Sequence, residues 1–461
     1  PCLRLWISSL TDEAITEGMA NLLPCDRFDN LFLAADSRNR ADWLLGVNSS
    51  YAICKAVGFG NNSLGRVQTP VLAEICRRYR ERENHMPADS WPVFISLCKN
   101  DRILKMRHVD DLVVRREALA LYEDCKAAKS VRITAVGKRT EEIGAPALYN
   151  LAELQKDANR YHSLTAIQVQ EIAQGLYEKK LISYPRTSSR LLPKDVYDTL
   201  PPVMEKMLSR KEFRQYADTV DLAAPRDSIE AQDTMEHHAI IITGTQPGKL
   251  DREEMLVYTL IVGRMLETFM PPCKVEYTTV DTVCAARKFR IRTYRILEKG
   301  WLGIFEREHL VAKGCMPYLV MPDLFQEEIL PVAGCSLIHK KSLPVSPYTD
   351  EELVDYMDKA GLGTVSTRTN ILRTLLERKY IHYSGKYVVP TPKGLFLYET
   401  VRSMKVADAS LTSGWETELA RIERGELSQE KFLDGVLETV NEVTGEIFRN
   451  HPVKKRPQGT T

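Results

Sequence analysis

Tyr184, Pro185 and Arg186 set a phenol, a proline and a guanidinium side by side within Leu181-Ile182-Ser183-Tyr184-Pro185-Arg186-Thr187-Ser188-Ser189. A phenol with an ordinary pKa of about 10 is a poor nucleophile. For Tyr184 to act as one, it needs a neighbouring cation that favours phenolate and neutralises a phosphate. Arg186 answers that need, because residues two apart share one face of an extended segment, and Pro185 biases Tyr184 toward extended backbone. A plainer reading competes, since most Tyr-Pro pairs are turns with a packed aromatic. Upstream, Val169, Ile172, Ala173 and Leu176 recur at i, i+3, i+4 and i+7, and Ser163 or Thr165 can cap the start. The spacing therefore predicts an amphipathic helix that delivers a short strand, Leu181 to Tyr184.

The chain has 461 residues, too many for one core, and roughly three or four folding units are expected. Its 44% hydrophobic and 27% charged residues are ordinary for a globular protein, and no apolar run approaches the roughly 20 residues of a membrane span. No signal peptide or anchor is visible, and the ten cysteines form no CxxC pair or zinc-type group, so reduced thiols and a cytoplasmic location are expected. The 63 basic and 62 acidic residues nearly cancel, so a surface for nucleic acid must come from local clustering. Arg66, Arg77, Arg78, Arg80 and Arg82 are one such cluster, with a solvated helix face as the plainer reading. The chain starts at Pro1 without methionine, on the strand-like Leu3 to Ile7, which reads as a start inside a domain.

Residues 1–35 read as a strand, a helix from Thr11 to Leu23 and a short strand Leu31 to Ala34, the end of an α/β unit. Residues 36–88 are helical in pattern. Strand-like text runs from Trp91 to Ala145 and returns at Lys274 to Leu297, which makes the β-rich part discontinuous, with the helical segment of Tyr184 inserted between its halves. In the last third, Thr349 or Asp350 caps a helix over Glu351 to Lys359, and Gly361-Leu362-Gly363 makes a turn. Ser366 then opens a second helix with Ile371, Leu372, Leu375 and Leu376 on one face, and Ser384-Gly385 links two strands. Helix, turn, helix and wing serve DNA binding or protein contacts alike. Residues 163–184 look like a second, shorter copy.

Several separated segments together resemble the type IA DNA topoisomerases. Tyr184-Pro185-Arg186-Thr187-Ser188 is similar to their active-site motif, and Ser63-Leu64-Gly65-Arg66-Val67-Gln68-Thr69-Pro70 to their GRVQTP segment. Arg38 with Ala41-Asp42-Trp43-Leu44 resembles RxxADWL, Glu236-His237-His238-Ala239-Ile240-Ile241 resembles HHAIIPT, and Gly361-Leu362-Gly363-Thr364 with Thr367-Arg368 resembles GIGTPATR. Pro390-Thr391-Pro392-Lys393-Gly394 and Trp415-Glu416 complete the order, in a manner nearest to the bacterial topoisomerase III branch.

The resemblance implies a multidomain α+β fold: a type IA arch with two winged-helix, CAP-like modules and an incomplete Toprim domain. Residues 1–35 would be the tail of Toprim, 36–88 the first part of a helical DNA-groove domain, and 89–145 the first half of the β-rich arch. Residues 146–243 would be the winged-helix domain with the nucleophile, 244–345 the second half of the arch, and 346–461 the C-terminal winged-helix part of the groove domain. Tyr184 would attack a backbone phosphorus to leave a 5′-phosphotyrosine, Arg186 would stabilise the phosphoryl oxygens, and His237 would bind a phosphate or relay a proton. Arg38, Arg66, Gln68, Arg368 and Lys393 would bind DNA, with Arg66 on the backbone. The partner would be single-stranded or underwound DNA, met by a monomer.

The acidic cluster that holds Mg2+ in the complete enzyme has no counterpart here, since Asp12-Glu13 and Asp110-Asp111 lack its spacing. No metal site is expected in this chain, and a separate Toprim-bearing polypeptide could supply one. Ile242 replaces the proline of HHAIIPT, Val365 that of GIGTPATR, Leu64 an alanine, and Tyr51 the arginine of an NxTR segment. The rival reading is an inactive single-strand-binding remnant or a subunit of a split topoisomerase. A tyrosine recombinase or relaxase would need catalytic arginines and histidines in another order.

Overall fold

The computed structural model describes residues 2–7, 12–58, 61–211, 213–221, 229–230, 237–317, 322–365 and 367–451. Pro1, Thr11, Glu236 and Ser366, which carry expectations above, lie outside the described residues.

The N-terminal segment pairs β1 (Leu3–Arg4) with β2 (Leu23–Pro24) across α1 (Asp12–Ala20). The expected strand Leu31 to Ala34 is instead helical, part of α2 (Asp29–Val57). Buried Ala34, Ser37, Ala41, Leu45, Ser49, Ala52 and Ile53 follow the helical period there, while Phe32 is 68% exposed. Four apolar residues were too short a run to separate the two periods. The 35/36 division thus falls within one helix, which stops at Gly58, left-handed at φ 78°. After it, α3 (Gln68–Glu83) carries Arg77, Arg78, Arg80 and Arg82 of the arginine cluster, with Arg66 just before it. Arg77 pairs with Glu74 and Glu81, Arg78 with Glu352, and Arg80 with Glu83 and Glu399, which neutralises that face.

The two β-rich stretches make one closed sheet. Strands β3 (Val93–Lys99), β4 (Arg102–His108), β5 (Ser130–Ile143), β6 (Cys273–Cys284), β7 (Arg287–Glu298) and β9 (Ile329–Leu337) run antiparallel in the order β7-β4-β3-β9-β5-β6. Pairing of β6 with β7 closes the ring, and the short β8 (Met316–Pro317) adds to β7. Closure removes the sheet edges. The sequence reading missed α4 (Arg115–Ala127), which buries Ala118, Leu121 and Cys125 in the barrel's core cluster.

The Tyr184 unit is built on α5 (Leu151–His162), α6 (Ala166–Glu178) and α7 (Arg252–Thr268). Val257, Leu260, Ile261 and Met265 of α7 share a core with Val169, Ala173, Leu176 and Ile182. A division at 243/244 therefore separates α7 from the core it helps to fill. Beneath them lies a buried charge quartet. Arg264 reaches Asp157 at 2.7 Å and Glu267 at 3.0 Å, and Arg307 reaches Asp157 at 2.9 Å. Burial raises the Glu267 carboxyl above its ordinary value, against the pull of both arginines.

The C-terminal part consists of β10 (Tyr348–Thr349), α8 (Asp350–Lys359), α9 (Arg368–Glu377), the hairpin β11 (Ile381–Ser384) and β12 (Tyr387–Pro390), and helices α10 (Pro392–Val401), α11 (Ala409–Glu423) and α12 (Gln429–Asn450). It shares one core with α2 and α3, in which Leu45, Leu72, Leu353, Leu372, Trp415 and Phe432 meet. Thr349 caps α8 through a capping box with Glu352, and Gly385 at φ 59° turns the hairpin.

Helices α6 and α9 end alike. Lys180 and Lys379 are both left-handed, at φ 61° and 59°. Behind each, the next amide bonds back five residues, Leu181 to Leu176 at 3.0 Å and Tyr380 to Leu375 at 2.9 Å. The sequences Leu176 to Tyr184 and Leu375 to Tyr383 share this exit and both finish on tyrosine. The start of α6 is Thr165 with its capping box, while Ser163 ends α5.

The two units interlock through Asp350, which is 1% exposed. Its carboxylate accepts the Ala166 amide at 2.7 Å and the Tyr383 hydroxyl at 2.9 Å. Lys156–Asp355 at 2.8 Å, Arg373–Glu171 at 2.5 Å and Arg160–Glu351 flank it. Burial pushes the Asp350 carboxyl above 3.8, although these hydrogen bonds pull it down. A carboxyl raised by folding contributes stability that is fully present below its ordinary value and is lost as pH rises through the raised one. Asp350→Asn keeps an acceptor and removes the charge. In thermal unfolding between about pH 4 and about pH 7, it should lose less stability than the wild type as pH rises; parallel curves would show that Asp350 is not the titrating group.

Candidate active site

Residues 181–187 run antiparallel to 237–243, as isolated bridges rather than the regular strand expected. Ile182 bridges Ile242, the Ser183 amide donates to the Ile241 carbonyl at 2.9 Å, and Thr243 donates to Leu181 at 3.1 Å. Side chains replace the missing ladder. Ser183 Oγ donates to the Ala239 carbonyl at 3.1 Å and accepts the Ile241 amide at 3.0 Å, and Thr187 Oγ1 donates to the His237 carbonyl at 2.9 Å. Ser183, Pro185 and Thr187 are buried, while Tyr184 and Arg186 between them are half-buried. This alternation puts phenol and guanidinium on one side of an extended segment.

Tyr184 lies against His237, with ring centroids 4.5 Å apart, and edge-on to Tyr177 at 5.4 Å. The Nε of Arg186 is buried with no hydrogen-bond partner among the described residues. A buried unsatisfied donor is costly, and an anion brought to the phenol would satisfy it. Phenol, imidazole and a guanidinium whose Nε is unmatched among the described residues have the chemistry to receive a phosphodiester, attack it and handle the proton.

A second constellation gathers around a cavity of about 360 Å³ between α2, α3 and the turn before α9. It is lined by Arg38, Asp42, Arg66, Gln68, Thr364, Thr367 and Glu416 among others, so the GRVQTP-, RxxADWL- and GIGTPATR-like segments converge there. Arg66, expected on the DNA backbone, is matched within the protein here. It is 4% exposed, donates to Asp42 at 2.7 Å and Glu416 at 2.8 Å, and sits 5.6 Å from the Trp415 ring centre. Burial works against the Glu416 carboxylate, yet Arg38 and Arg66 hold it below its ordinary value. Arg38 donates to Glu416 at 2.7 Å.

Gln68 accepts from Arg378 at 2.6 Å, and Arg378 also donates to Ser63 at 2.6 Å. Lys393 caps the Arg378 carbonyl at 2.9 Å and lies 4.6 Å from the Tyr380 ring centre. Arg368 starts α9, is 8% exposed and pairs with Asp358 at 2.6 Å. Arg38, Arg66 and Gln68 thus line the cavity, Lys393 reaches it through Arg378, and Arg368 stands apart, paired with Asp358. Sequence reasoning missed Asp350, Tyr383 and Arg378; the shared Leu-x-Glu-(Lys/Arg)-Lys-x-Ile-x-Tyr pattern could have flagged Tyr383.

Among the described residues, no group of three or more His, Cys, Asp or Glu side chains could hold a metal ion. The described residues do not fit a magnesium site. No described helix is long and apolar enough to cross a membrane.

The fold and the paired sites define a class, and the sequence matches it: the profile of the DNA topoisomerase family covers residues 26–434, and the chain belongs to that family, in its type IA division. It is 29% identical over 479 residues to DNA topoisomerase 3 of Bacillus licheniformis and 30% identical over 489 residues to that of Bacillus thuringiensis, spanning 97% of this chain and 65% of each relative. DNA topoisomerase 1 of Methanocaldococcus jannaschii is 29% identical over 94% of this chain and 56% of its own. Full-length topoisomerase I from Thermotoga maritima shares the fold, with a TM-score of 0.77, 20% identity, and coverage of 96% of this chain and 73% of that one.

Removing Arg66 leaves Asp42 and Glu416 without their shared cation. Arg66→Met should cost about 3 kcal/mol, read from chemical unfolding, and Glu416→Met in the same chain should recover part of it. A coupling of about 1 kcal/mol or more is expected from residues in one network, and strict additivity would contradict it.

Proposed function

We propose that this chain is the strand-cleaving part of a type IA topoisomerase, which cuts and reseals one DNA strand through a 5′-phosphotyrosine and so permits relaxation or decatenation. The observation that carries the reading is the Tyr184–His237 contact beside Arg186, whose buried Nε has no hydrogen-bond partner among the described residues. The Tyr184 oxygen attacks phosphorus, the bond from phosphorus to the 3′ oxygen breaks, and the phenolic proton passes by way of His237 to the departing 3′-hydroxyl. Arg186 takes up the phosphoryl charge. Reversal of the same step reseals the strand.

The pairs of helices with a strand exit at 151–184 and 350–390 are read as winged-helix modules. The cavity lined by Arg38, Arg66 and Gln68 supports a groove for single-stranded DNA, in which Arg66 orders the carboxylates and Arg38 while Arg378 and Lys393 extend the basic rim. The interlock at Asp350 is read as the closed seam between the unit bearing Tyr184 and the groove domain, which parts when a second strand passes. The share of the relatives' length beyond this chain fits a Toprim domain that brings Mg2+ in the complete enzyme, and the protein is read as a monomer.

The test is trapping of a denaturation-resistant adduct between the protein and an end-labelled single-stranded oligonucleotide, in magnesium buffer with and without an added Toprim-bearing polypeptide. The fragment downstream of the break should be attached to the protein through its new 5′ phosphate while the upstream fragment leaves with a free 3′-hydroxyl, Tyr184→Phe should give no adduct, and Arg186→Ala should lower its yield by roughly 100-fold. Binding without an adduct under every condition would leave the single-strand-binding reading in its place.

A further inference from the structure

A row of planar groups leads away from the Tyr184 phenol into the N-terminal segment. His237 stands next to Tyr184, and Trp6 lies 6.1 Å from the His237 ring centre at an interplanar angle of 15°. Phe28 follows at 5.6 Å from Trp6, within 4° of parallel. The Arg4 guanidinium lies 4.6 Å from the ring centre of Trp6 and 4.6 Å from that of Phe28. Four elements contribute: β1 gives Arg4, the residues just after it Trp6, the turn before α2 Phe28, and the segment opposite Tyr184 His237.

The hydrophobic clusters of the described residues do not include this row. Neither Trp6 nor Phe28 belongs to the hydrophobic clusters that fill the described units, both rings are half-buried, and Arg4 is exposed. Lys180, at the exit of α6, ties the same N-terminal segment to the Tyr184 unit by donating to Asp12 at 2.7 Å. What the row offers is two near-parallel aromatic planes reached by a guanidinium that is itself planar and cationic. Every nucleobase has a π-face, and stacking on aromatic side chains, aided by arginine, is how single strands are gripped without sequence preference.

We propose that Trp6, Phe28 and Arg4 form a nucleobase subsite for the single strand, next to the phosphate that Tyr184 attacks. This rests on the reading of Tyr184 as the nucleophile of a single-strand-cleaving enzyme. Arg4 holds the place of the base in the free protein. On binding, a base takes the ring face, and the long, exposed arginine side chain swings to the flanking phosphate, where its donors match the oxygens. The subsite fixes the register of the strand relative to the phenol, and an unpaired base enters it where a paired and stacked one does not. Only one ring, His237, separates Trp6 from the nucleophile, so the base belongs to a nucleotide within two of the break.

The experiment measures binding of a fluorescent single-stranded oligonucleotide to the whole chain by anisotropy, with Tyr184→Phe as the background so that cleavage does not interfere. Trp6→Ala should weaken binding by roughly 5- to 100-fold, and Trp6→Phe, which keeps a π-face, by less than about 3-fold. A single abasic residue is then moved along the oligonucleotide. At one position within two nucleotides of the break, it should weaken wild-type-Trp6 binding and erase the difference between Trp6 and Trp6→Ala. Arg4→Gln, exposed and harmless to folding, checks the site independently and should weaken binding and reduce its salt dependence. Equal affinity for Trp6 and Trp6→Ala, or an abasic effect at no position, overturns the subsite while leaving the nucleophile reading intact. Failure of the Tyr184→Phe chain to bind any single strand overturns both.

Discussion

The buried Asp350 carboxylate is the constraint through which the unit bearing Tyr184 and the C-terminal part are tied together. A carboxylate that is 1% exposed must be matched by donors, and its donors come from both units: the Ala166 amide from one and the Tyr383 hydroxyl from the other. Anchoring Ala166 anchors the first turn of α6, where Thr165 and Gln168 complete the cap. From there the helix runs 13 residues, about 20 Å at 1.5 Å per residue. It stops on left-handed Lys180 and releases Leu181 into its pairing with Thr243. Position is thus passed from a carboxylate at one end of a rigid rod to a phenol at the other.

Two arginines differ in how far their donors are matched. Arg66 is matched by Asp42 and Glu416 and stacked near Trp415, so it joins α2, α3 and α11. Arg186 sits in a segment whose own hydrogen bonds are made by serine and threonine, and its Nε is left without a partner among the described residues. An unmatched Nε is not peculiar to Arg186, since Arg38, Arg307 and Arg368 share it among the described residues, and the anion-binding role proposed for Arg186 rests on its place beside Tyr184.

How much of this was legible in the sequence depended on range. Local signals held: the caps at Thr165 and Thr349, the hairpin at Gly385 and the alternation around Tyr184 all follow from a few neighbouring residues. Four ordered segments marked the cavity, although nothing local revealed that Glu416 would meet Arg66 there. Short apolar runs misled, as at Leu31 to Ala34, where period 2 and period 3.6 cannot be told apart until the surrounding helix is seen. Helix α4 was lost inside strand-like text, and α7 was assigned by sequence order to the sheet that follows it, whereas its apolar side fills the Tyr184 core. The row from Arg4 to His237 was invisible because its members are scattered in sequence and meet only through tertiary contact.

The matching exits of α6 and α9 place two tyrosines, Tyr184 and Tyr383, at the same point of the same local pattern. Burial and the adjoining Asp350 carboxylate both raise the Tyr383 phenol, which holds its proton and donates it to a permanent bond. Tyr184 faces an imidazole instead. The chain therefore contains a second tyrosine at the same local position as the one proposed to be its nucleophile, and the two differ in the group set opposite the phenol. The nine-residue pattern thus settles where each phenol stands, and the neighbour, carboxylate or imidazole, settles what that phenol meets.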